Sequence, residues 1–337
     1  MKMGKKTGEQ TFQFANPPVI IATGTVAGPF EGQGPLAEEF DLVLGDLHNG
    51  ENSFERAERS MLVQACRLAL DHASRGSAEV DLFLAGDLLN QIISSSFTAA
   101  TLSIPYLGIY GACSTVAEGL TLASMILDGG FAGAILVATS SHNATAERQY
   151  RYPTEYGGQR RPYQQWTVTG AAAALLGYTG HGPRVTAATV GKVVDMGCKD
   201  PLNLGAAMAP AAAETIACHF QDTGWDPDSF DLILTGDLGE IGFKLCRELL
   251  AEKDIHLGEN FSDCGLLIYD REKQDVHAGA SGCATAGLVA FGRLFRQFQR
   301  GELTRVLLVA TGALHSPTSF LQGENIPCIA HAVRIEA

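Results

Sequence analysis

The sequence predicts an α/β protein whose two similar halves stack in alternating layers, α/β/α/β/α. The first observation is an internal duplication: Val80-Asp-Leu-Phe-Leu-Ala-Gly-Asp-Leu88 recurs as Phe230-Asp-Leu-Ile-Leu-Thr-Gly-Asp-Leu238. The second is that short runs such as 82–85 and 135–138 are continuously apolar. Such runs are typical of strands buried on both faces of a mostly parallel sheet that helices cover. A chain of 337 residues is long enough for two such halves.

In the first half, the pattern predicts a helix, a strand, a tight turn, a second helix and another strand. The first helix begins near Ser53, carries Glu55 in its first turn and repeats apolar residues at helical spacing. The strand of 80–88 follows it. Gly111-Ala-Cys113-Ser-Thr115 then opens the second helix, and 134–139 is the next strand.

The second half repeats this order. A helix of about 209–221 precedes the strand of 230–238, Gly282-Cys283-Ala-Thr285 opens the next helix, and 305–311 closely matches the strand of 134–139. We therefore place an N-terminal half at 16–181 and a C-terminal half at 182–337. The segment 140–165 has no counterpart in the second half, and long insertions of this kind are often functional.

Composition excludes several classes of function. The net charge is −13, which does not favour a nucleic-acid binder. No apolar run approaches the ~20 residues of a membrane span, and the Lys-rich N-terminus lacks the apolar core of a signal peptide. The eight cysteines form no CxxC pair, so we expect separate thiols in a reducing compartment, with no metal and no cofactor.

Cys113 is the first candidate for chemistry. It lies between a short apolar run and a helix, where backbone N–H groups and the helix dipole lower a thiol pKa and favour a nucleophile or an anion site. The alternative is a small, inert buried thiol. Ser114, next to it, is either part of the same site or a helix cap.

The insertion is the second candidate. It concentrates arginines and tyrosines, with Trp166 directly after it: Arg148, Arg151, Arg160, Arg161, Tyr150, Tyr152, Tyr156 and Tyr163. Arginine binds carboxylates through paired hydrogen bonds, and flat rings stack on flat ligands. The same residue types dominate protein interfaces, so a ligand site and an interface are both open interpretations.

The duplicated layers and the turn at Cys113 resemble the thiolase superfamily over essentially the whole chain. Longer motifs resemble the stage V sporulation protein AD family: Ser141–Arg148, Tyr152–Gly158, Trp166–Gly170, Ala310–Ala313 and Ile326–His331. This resemblance implies a thiolase-like protein of the spore system that moves dipicolinic acid, alone or as its calcium chelate. It also implies a homodimer, partner subunits of that transport system, and peripheral association with the forespore or spore inner membrane.

The departures from the enzyme pattern indicate a non-catalytic member. Condensing enzymes carry a histidine, and thiolases an asparagine motif, at the end of the strand that corresponds to 232–234. Here Thr235-Gly-Asp-Leu-Gly239 stands instead, and Val309-Ala-Thr311 replaces the second thiolase cysteine. His277-Ala-Gly-Ala-Ser-Gly282 resembles the thiolase histidine loop but is one residue shorter. Without acid–base help, worth roughly 10²–10⁴-fold, Cys113 loses much of its acyl-transfer chemistry.

We therefore predict a dipicolinate-binding protein. Arg148 is the first choice for the cation that holds a carboxylate, and the full predicted site is Cys113, Ser114, His142, Asn143, Arg148, Tyr156, His277 and His315. Asp87 and Asp237, which follow equivalent strands, are interpreted as turn or cap residues. The alternatives are a ketoacyl-synthase-like condensing enzyme that uses Cys113 as its nucleophile, and a structural subunit that only docks onto membrane partners.

Overall fold

A computed structural model describes residues 4–150 and 160–337. Tyr156, together with Arg151 and Tyr152, lies outside the described residues. Over the described ranges the strands are β1 (Lys5–Thr7), β2 (Thr11–Gln13), β3 (Val19–Ala27), β4 (Leu42–Val43), β5 (Leu82–Asp87), β6 (Tyr106–Gly108), β7 (Ala134–Ser141), β8 (Trp166–Thr167), β9 (Gly170–Gly177), β10 (Arg184–Val190), β11 (Leu232–Thr235), β12 (Phe261–Asp263), β13 (Ala280–Ser281), β14 (Arg305–Ala313) and β15 (Cys328–Glu336).

The α-helices in the same ranges are α1 (Phe54–His72), α2 (Ile93–Leu102), α3 (Thr115–Asp128), α4 (Asn143–Tyr150), α5 (Leu204–Thr223), α6 (Gly239–Ala251), α7 (Cys264–Leu267), α8 (Cys283–Leu288), α9 (Phe295–Gln299) and α10 (Pro317–Leu321). A π-helical segment, Val289–Leu294, joins α8 to α9 into one long helix. The predicted start of α1 is correct, since the Ser53 side chain accepts the Arg56 N–H and caps the helix. Helix α5 begins earlier than the predicted 209 and carries Pro210 inside it.

The main sheet is symmetric about its centre. Its strands run in the order β12-β11-β14-β15-β10-β3-β9-β7-β5-β6, so each half contributes five strands in the same relative positions. The halves join where β10 pairs with β3 through Arg184 and Val19. This arrangement matches the predicted duplication, element by element.

Helices lie on both sides of each half-sheet and between the halves. Helix α1 packs on β3, β9 and β7, while α5 packs on β14 and β15. Helix α3 contacts β5 and β7 of the first half as well as β10, β14 and β15 of the second. It therefore lies in the middle layer, and the Cys113 turn that precedes it lies between the two half-sheets.

The sheet is mixed, and the prediction of a mostly parallel sheet is wrong. Strand β9 runs antiparallel to both β3 and β7, and β15 runs antiparallel to both β10 and β14. Every residue of β9 is buried. A strand covered on both faces is continuously apolar whichever way it runs, so its pattern indicates burial and carries no information on direction.

Candidate ligand-binding site

The turn at Cys113 is held in an unusual backbone conformation. Ala112, which precedes the cysteine, has φ +49°, in the left-handed region that costs a non-glycine residue free energy. Strand β14 packs directly against this turn. A Cβ added to Gly312 would collide with the carbonyl oxygen of Gly111 and lie 3.1 Å from the Ser114 nitrogen. Only glycine fits at 312 without displacing the turn.

The Cys113 thiol is buried, and its pKa is raised well above its ordinary value of 9.0. Burial is the main cause, followed by the negative charge of Asp237. The expectation that the helix N-terminus would lower this pKa is therefore wrong. The thiol is protonated at neutral pH and is a weak nucleophile.

Asp237, which the sequence indicates as a turn or cap residue, contacts the Cys113 side chain. Its carboxylate accepts hydrogen bonds from the Thr311 hydroxyl (2.8 Å), the Ser281 hydroxyl (3.1 Å) and the Gly282 N–H (3.0 Å), and it also hydrogen-bonds Cys113. Burial raises its pKa. Interpreting Asp237 as a turn residue was thus incomplete, because its partners come from three separate segments. The duplicated Gly-Asp-Leu was the available signal.

The equivalent turn of the second half touches the first. The Cys283 thiol, at the start of α8, donates to the Ala112 carbonyl oxygen at 2.9 Å. Gly282, which precedes it, has φ +107°, a conformation that favours glycine. Cys283 is fully buried, and its hydrogen bond to Ala112 supports the Cys113 turn.

Cys113 faces a small inner cavity of about 30 Å³. The described residues that line it are mostly apolar or aromatic: Leu88, Tyr110, Ala112, Cys113, Ala146, Tyr150, Thr167, Leu204, Ser281, Gly282, Ala313 and His315. A water needs roughly 10–15 Å³ of such space, so the inner cavity has room for about two or three waters. It is too small for a ring that carries two carboxylates.

A larger outer cavity of about 490 Å³ lies beside it. Its volume is within the ~300–1,000 Å³ range of small-molecule sites. The described lining residues are Arg148, Gln149, Tyr150, Asp200, Pro201, Leu202, His315, Ser316, Pro317, Phe320 and Leu321. Tyr150 and His315 line both cavities, and their ring centroids are 5.2 Å apart.

Two predicted site residues, Arg148 and His315, lie at the outer cavity, and Cys113 lies at the inner one. Arg148 forms an ion pair with Glu55 of α1, and both side chains are about half exposed. His277 is partly exposed and lies 3.5 Å from the Asp275 carboxylate. His277 is not among the described residues that line either cavity.

Three other predicted residues make contacts within the fold. The Ser114 hydroxyl donates to the Gly111 carbonyl oxygen at 2.6 Å. His142 is fully buried, with Nε2 2.9 Å from the Leu47 carbonyl oxygen and Nδ1 accepting the Ala144 N–H. Asn143 donates its amide to the Thr167 carbonyl oxygen. These contacts account for the motif around α4 structurally, and in the described part of the chain the three residues are outside both cavity linings.

A family profile described as stage V sporulation protein AD (SpoVAD) matches residues 8–336. The chain is also 48% identical over 332 residues to Stage V sporulation protein AD of Bacillus subtilis strain 168, covering 98% of each chain. The chain belongs to the stage V sporulation protein AD family. The predicted family is confirmed, and with it a role in sporulation.

Solved structures confirm the thiolase-like fold. A crystal structure of a Xanthomonas campestris OleA variant superposes with a TM-score of 0.61 at 16% identity, covering 96% of this chain and 97% of that one. The 3-oxoacyl-[acyl-carrier-protein] synthase III of Aquifex aeolicus VF5 superposes with a TM-score of 0.58 at 15% identity, covering 95% and 100%. At these identities the similarity shows the fold alone.

Over 4–150 and 160–337, no group of three or more His, Cys, Asp or Glu side chains is placed to hold a metal ion. Within the same ranges, none of the helices combines the length and the apolar character needed to cross a bilayer.

Proposed function

We propose that this protein binds dipicolinic acid without transforming it, for uptake into the developing spore. The sporulation role is supported by membership of the family. The choice of dipicolinic acid as the ligand is supported by the sequence resemblance to that family. The observation that carries the proposal is the outer cavity, whose described lining combines the Arg148 guanidinium group, three rings (Tyr150, His315 and Phe320) and apolar walls, with Asp200 as its acidic group.

The chemistry of that cavity suits a flat dicarboxylate. Burying such an anion requires charge compensation for the carboxylates and apolar contact for the ring. Arg148 supplies a cation with paired donors, and a hydrogen bond to a charged group is worth about 1.5–3 kcal/mol. Tyr150 and His315 supply ring faces, and Pro201, Leu202 and Pro317 are in the wall.

The condensing-enzyme alternative has weaker support. Such an enzyme needs an activated thiolate, whereas burial and the Asp237 carboxylate keep the Cys113 thiol protonated. We expect no turnover of acyl-CoA above background. Turnover that disappears in Cys113→Ala would favour the enzyme instead.

The test of the ligand is calorimetry with dipicolinate, in the presence and absence of calcium. We expect Arg148→Ala to weaken binding by about tenfold or more, equivalent to about 1.4 kcal/mol, while the fold stays intact. Unchanged affinity in a folded Arg148→Ala variant would remove Arg148 from the site.

Two further variants separate a ligand role from a structural one. Glu55→Gln breaks the same ion pair but leaves the guanidinium free, so dipicolinate should bind at least as tightly as to the unchanged protein. Arg271→Ala removes an arginine whose ion pair with Glu240 lies elsewhere, and it should not alter affinity. Equal losses in Arg148→Ala and Glu55→Gln would indicate that the ion pair matters and the ligand contact does not.

We also propose that the protein is a homodimer. Strand β6 is at the end of the sheet order, and the side chains on and beside it include exposed apolar groups: Leu107 (53% exposed) and Phe97 (50%). An open strand edge with apolar cover readily pairs with another chain. Light scattering at micromolar concentration should give twice the chain mass of 35.7 kDa, and a monomer would contradict the proposal.

The proposed partners are the other subunits of the dipicolinate transport system. The proposed location is the forespore or spore inner membrane, with peripheral association. Fractionation of sporulating cells should recover the protein with membranes and release it by washing that leaves integral proteins in place. Recovery in the soluble fraction alone would contradict this location.

A further inference from the structure

The inner and outer cavities are neighbours that share two side chains, Tyr150 and His315. Arg148 lines the outer cavity, and Cys113 lines the inner one. The outer cavity has a volume of about 490 Å³, whereas the inner cavity has a volume of about 30 Å³. A ligand that fills the outer cavity is therefore separated from Cys113 by the shared pair.

Tyr150 is fixed in this position by several contacts. Its hydroxyl donates to the Leu88 carbonyl oxygen and lies 3.4 Å from the Tyr110 hydroxyl. Its ring packs 5.2 Å from the His315 ring. Gln149, the preceding residue, also donates to the Leu88 carbonyl oxygen, at 3.1 Å. These contacts connect the end of α4 to the segment after β5, beside the inner cavity that Cys113 lines.

We infer that the Tyr150 side chain is a partition that determines whether a ligand contacts Cys113. While the ring is in place, the inner cavity admits water and excludes a planar dicarboxylate, which is confined to the outer cavity beside Arg148. Because Tyr150 lines both cavities, removal of its ring joins part of the outer cavity to the inner one. Tyr150 is thus a specificity-determining residue. This inference deepens the proposed function, because it defines which part of the site dipicolinate occupies.

Alkylation of Cys113 tests the partition without any use of dipicolinate. The full-length protein is treated with iodoacetamide, and modification of each cysteine is followed by peptide mass spectrometry. Cys198, which is partly exposed, is the internal reference. Cys113 should react far more slowly than Cys198 in the unchanged protein. Tyr150→Ala should accelerate Cys113 alone by about tenfold or more, since access limits the reaction of a buried thiol.

The chain offers a matched control. Tyr178, which is not among the described residues lining either cavity, is also partly buried and also donates its hydroxyl to a carbonyl oxygen, that of Leu127. Tyr178→Ala should leave the relative rate at Cys113 unchanged. Tyr150→Phe keeps the ring but removes the hydrogen bond to Leu88, so it should give an intermediate rate. It also keeps the test decisive if Tyr150→Ala does not fold.

Two results would overturn the inference. One is a Cys113 rate equal to that of Cys198 in the unchanged protein, and the other is no acceleration in folded Tyr150 variants. Calorimetry with dipicolinate on the same variants is a separate readout. Failure of the ligand to bind would contradict the proposed function while leaving the alkylation result, and hence the partition, standing.

Discussion

At Cys113 two opposing effects act on one thiol, and their magnitudes decide the outcome. A helix N-terminus stabilises a negative charge by about 0.3–1 kcal/mol, which is less than one pKa unit. Burial shifts a pKa by up to ~3–5 units, and here the Asp237 carboxylate adds repulsion in the same direction. Desolvation therefore dominates. Cys113 precedes a helix, as reactive cysteines often do, but its burial makes the thiol unreactive.

We expect Asp237→Asn to lower the pKa of the Cys113 thiol, because the substitution removes the negative charge nearest the sulfur. The pH dependence of Cys113 alkylation, followed by mass spectrometry, measures this pKa. Asp87→Asn is the matched control, because Asp87 ends the equivalent strand of the first half, β5, and accepts hydrogen bonds from the Ser95 and Leu89 N–H groups. An unchanged or higher Cys113 pKa in a folded Asp237→Asn variant would contradict the expectation.

At this scale the sequence predicted the turn at Cys113 but not its surroundings. The residues on either side of Cys113 in the sequence were sufficient to place it before a helix. The role of Asp237 depends on Ser281 and Thr311, which reach it only through the pairing of distant segments. His142 and Asn143 belong to a specific motif, but a motif maintained by packing has the same appearance in sequence as one that binds a ligand.

At the scale of elements, strand positions were predictable and strand directions were not. The duplicated segments became β5 and β11, and the matching pair of later strands became β7 and β14. Direction depends on how the chain returns to the sheet. After β7 it returns through α4 and the insertion to β9, which pairs antiparallel with both of its neighbours. The apolar pattern of a strand reflects its burial and does not depend on the path by which the chain returns to the sheet.

Strand β14 supports the Cys113 turn, so its backbone must approach closely. We expect Gly312→Ala to lower the free energy of unfolding by about 1–3 kcal/mol, because the added methyl group collides with the Gly111 carbonyl oxygen. Denaturant unfolding measures the change. Gly45→Ala is the control, since a Cβ at Gly45 meets nothing within 4 Å. Equal stability of the two variants would show that the turn yields easily.

At the scale of the whole molecule, the interior contains several carboxyl groups whose pKa burial raises. Glu31, Glu118 and Asp263 are each raised to about 7, and Glu58 to about 8. Such groups bind protons more tightly in the folded chain than in the unfolded one, so they favour folding at low pH. Their contribution is complete below their ordinary pKa values and is lost as the pH rises through 7 to 8.

Buried histidines act in the opposite sense at lower pH. The pKa of His219 falls to about 3 and that of His331 to about 4, from 6.5, so their contribution is present above pH 6.5 and is lost as the pH falls. Below pH 6.5 the carboxyl groups and the histidines both change the free energy of unfolding with pH, and their effects have opposite signs. Above it the carboxyl groups dominate, so stability should decrease from pH 6.5 to pH 8.

Glu31→Gln tests this pH dependence. Glutamine keeps a carbonyl oxygen to accept from the Tyr269 hydroxyl and the Thr169 N–H, but it cannot ionise. We expect the decrease in unfolding free energy above pH 6.5 to become shallower in this variant, as measured by denaturant unfolding at a series of pH values. Glu302→Gln, at an exposed position, should leave the slope unchanged. A slope equal to that of the unchanged protein would exclude Glu31 as a source of the effect.

Cys283 and Cys113 hold equivalent places in the two repeats, yet the hydrogen bond from Cys283 to Ala112 gives them unequal roles. The two turns are related but not identical in sequence, and where they meet the thiol of one contacts the backbone of the other. The two cysteines therefore differ where the repeats touch. Cys283 is fully buried against the Ala112 backbone, whereas Cys113 lines the inner cavity. A substitution that displaces Cys283 therefore acts directly on the backbone that positions Cys113.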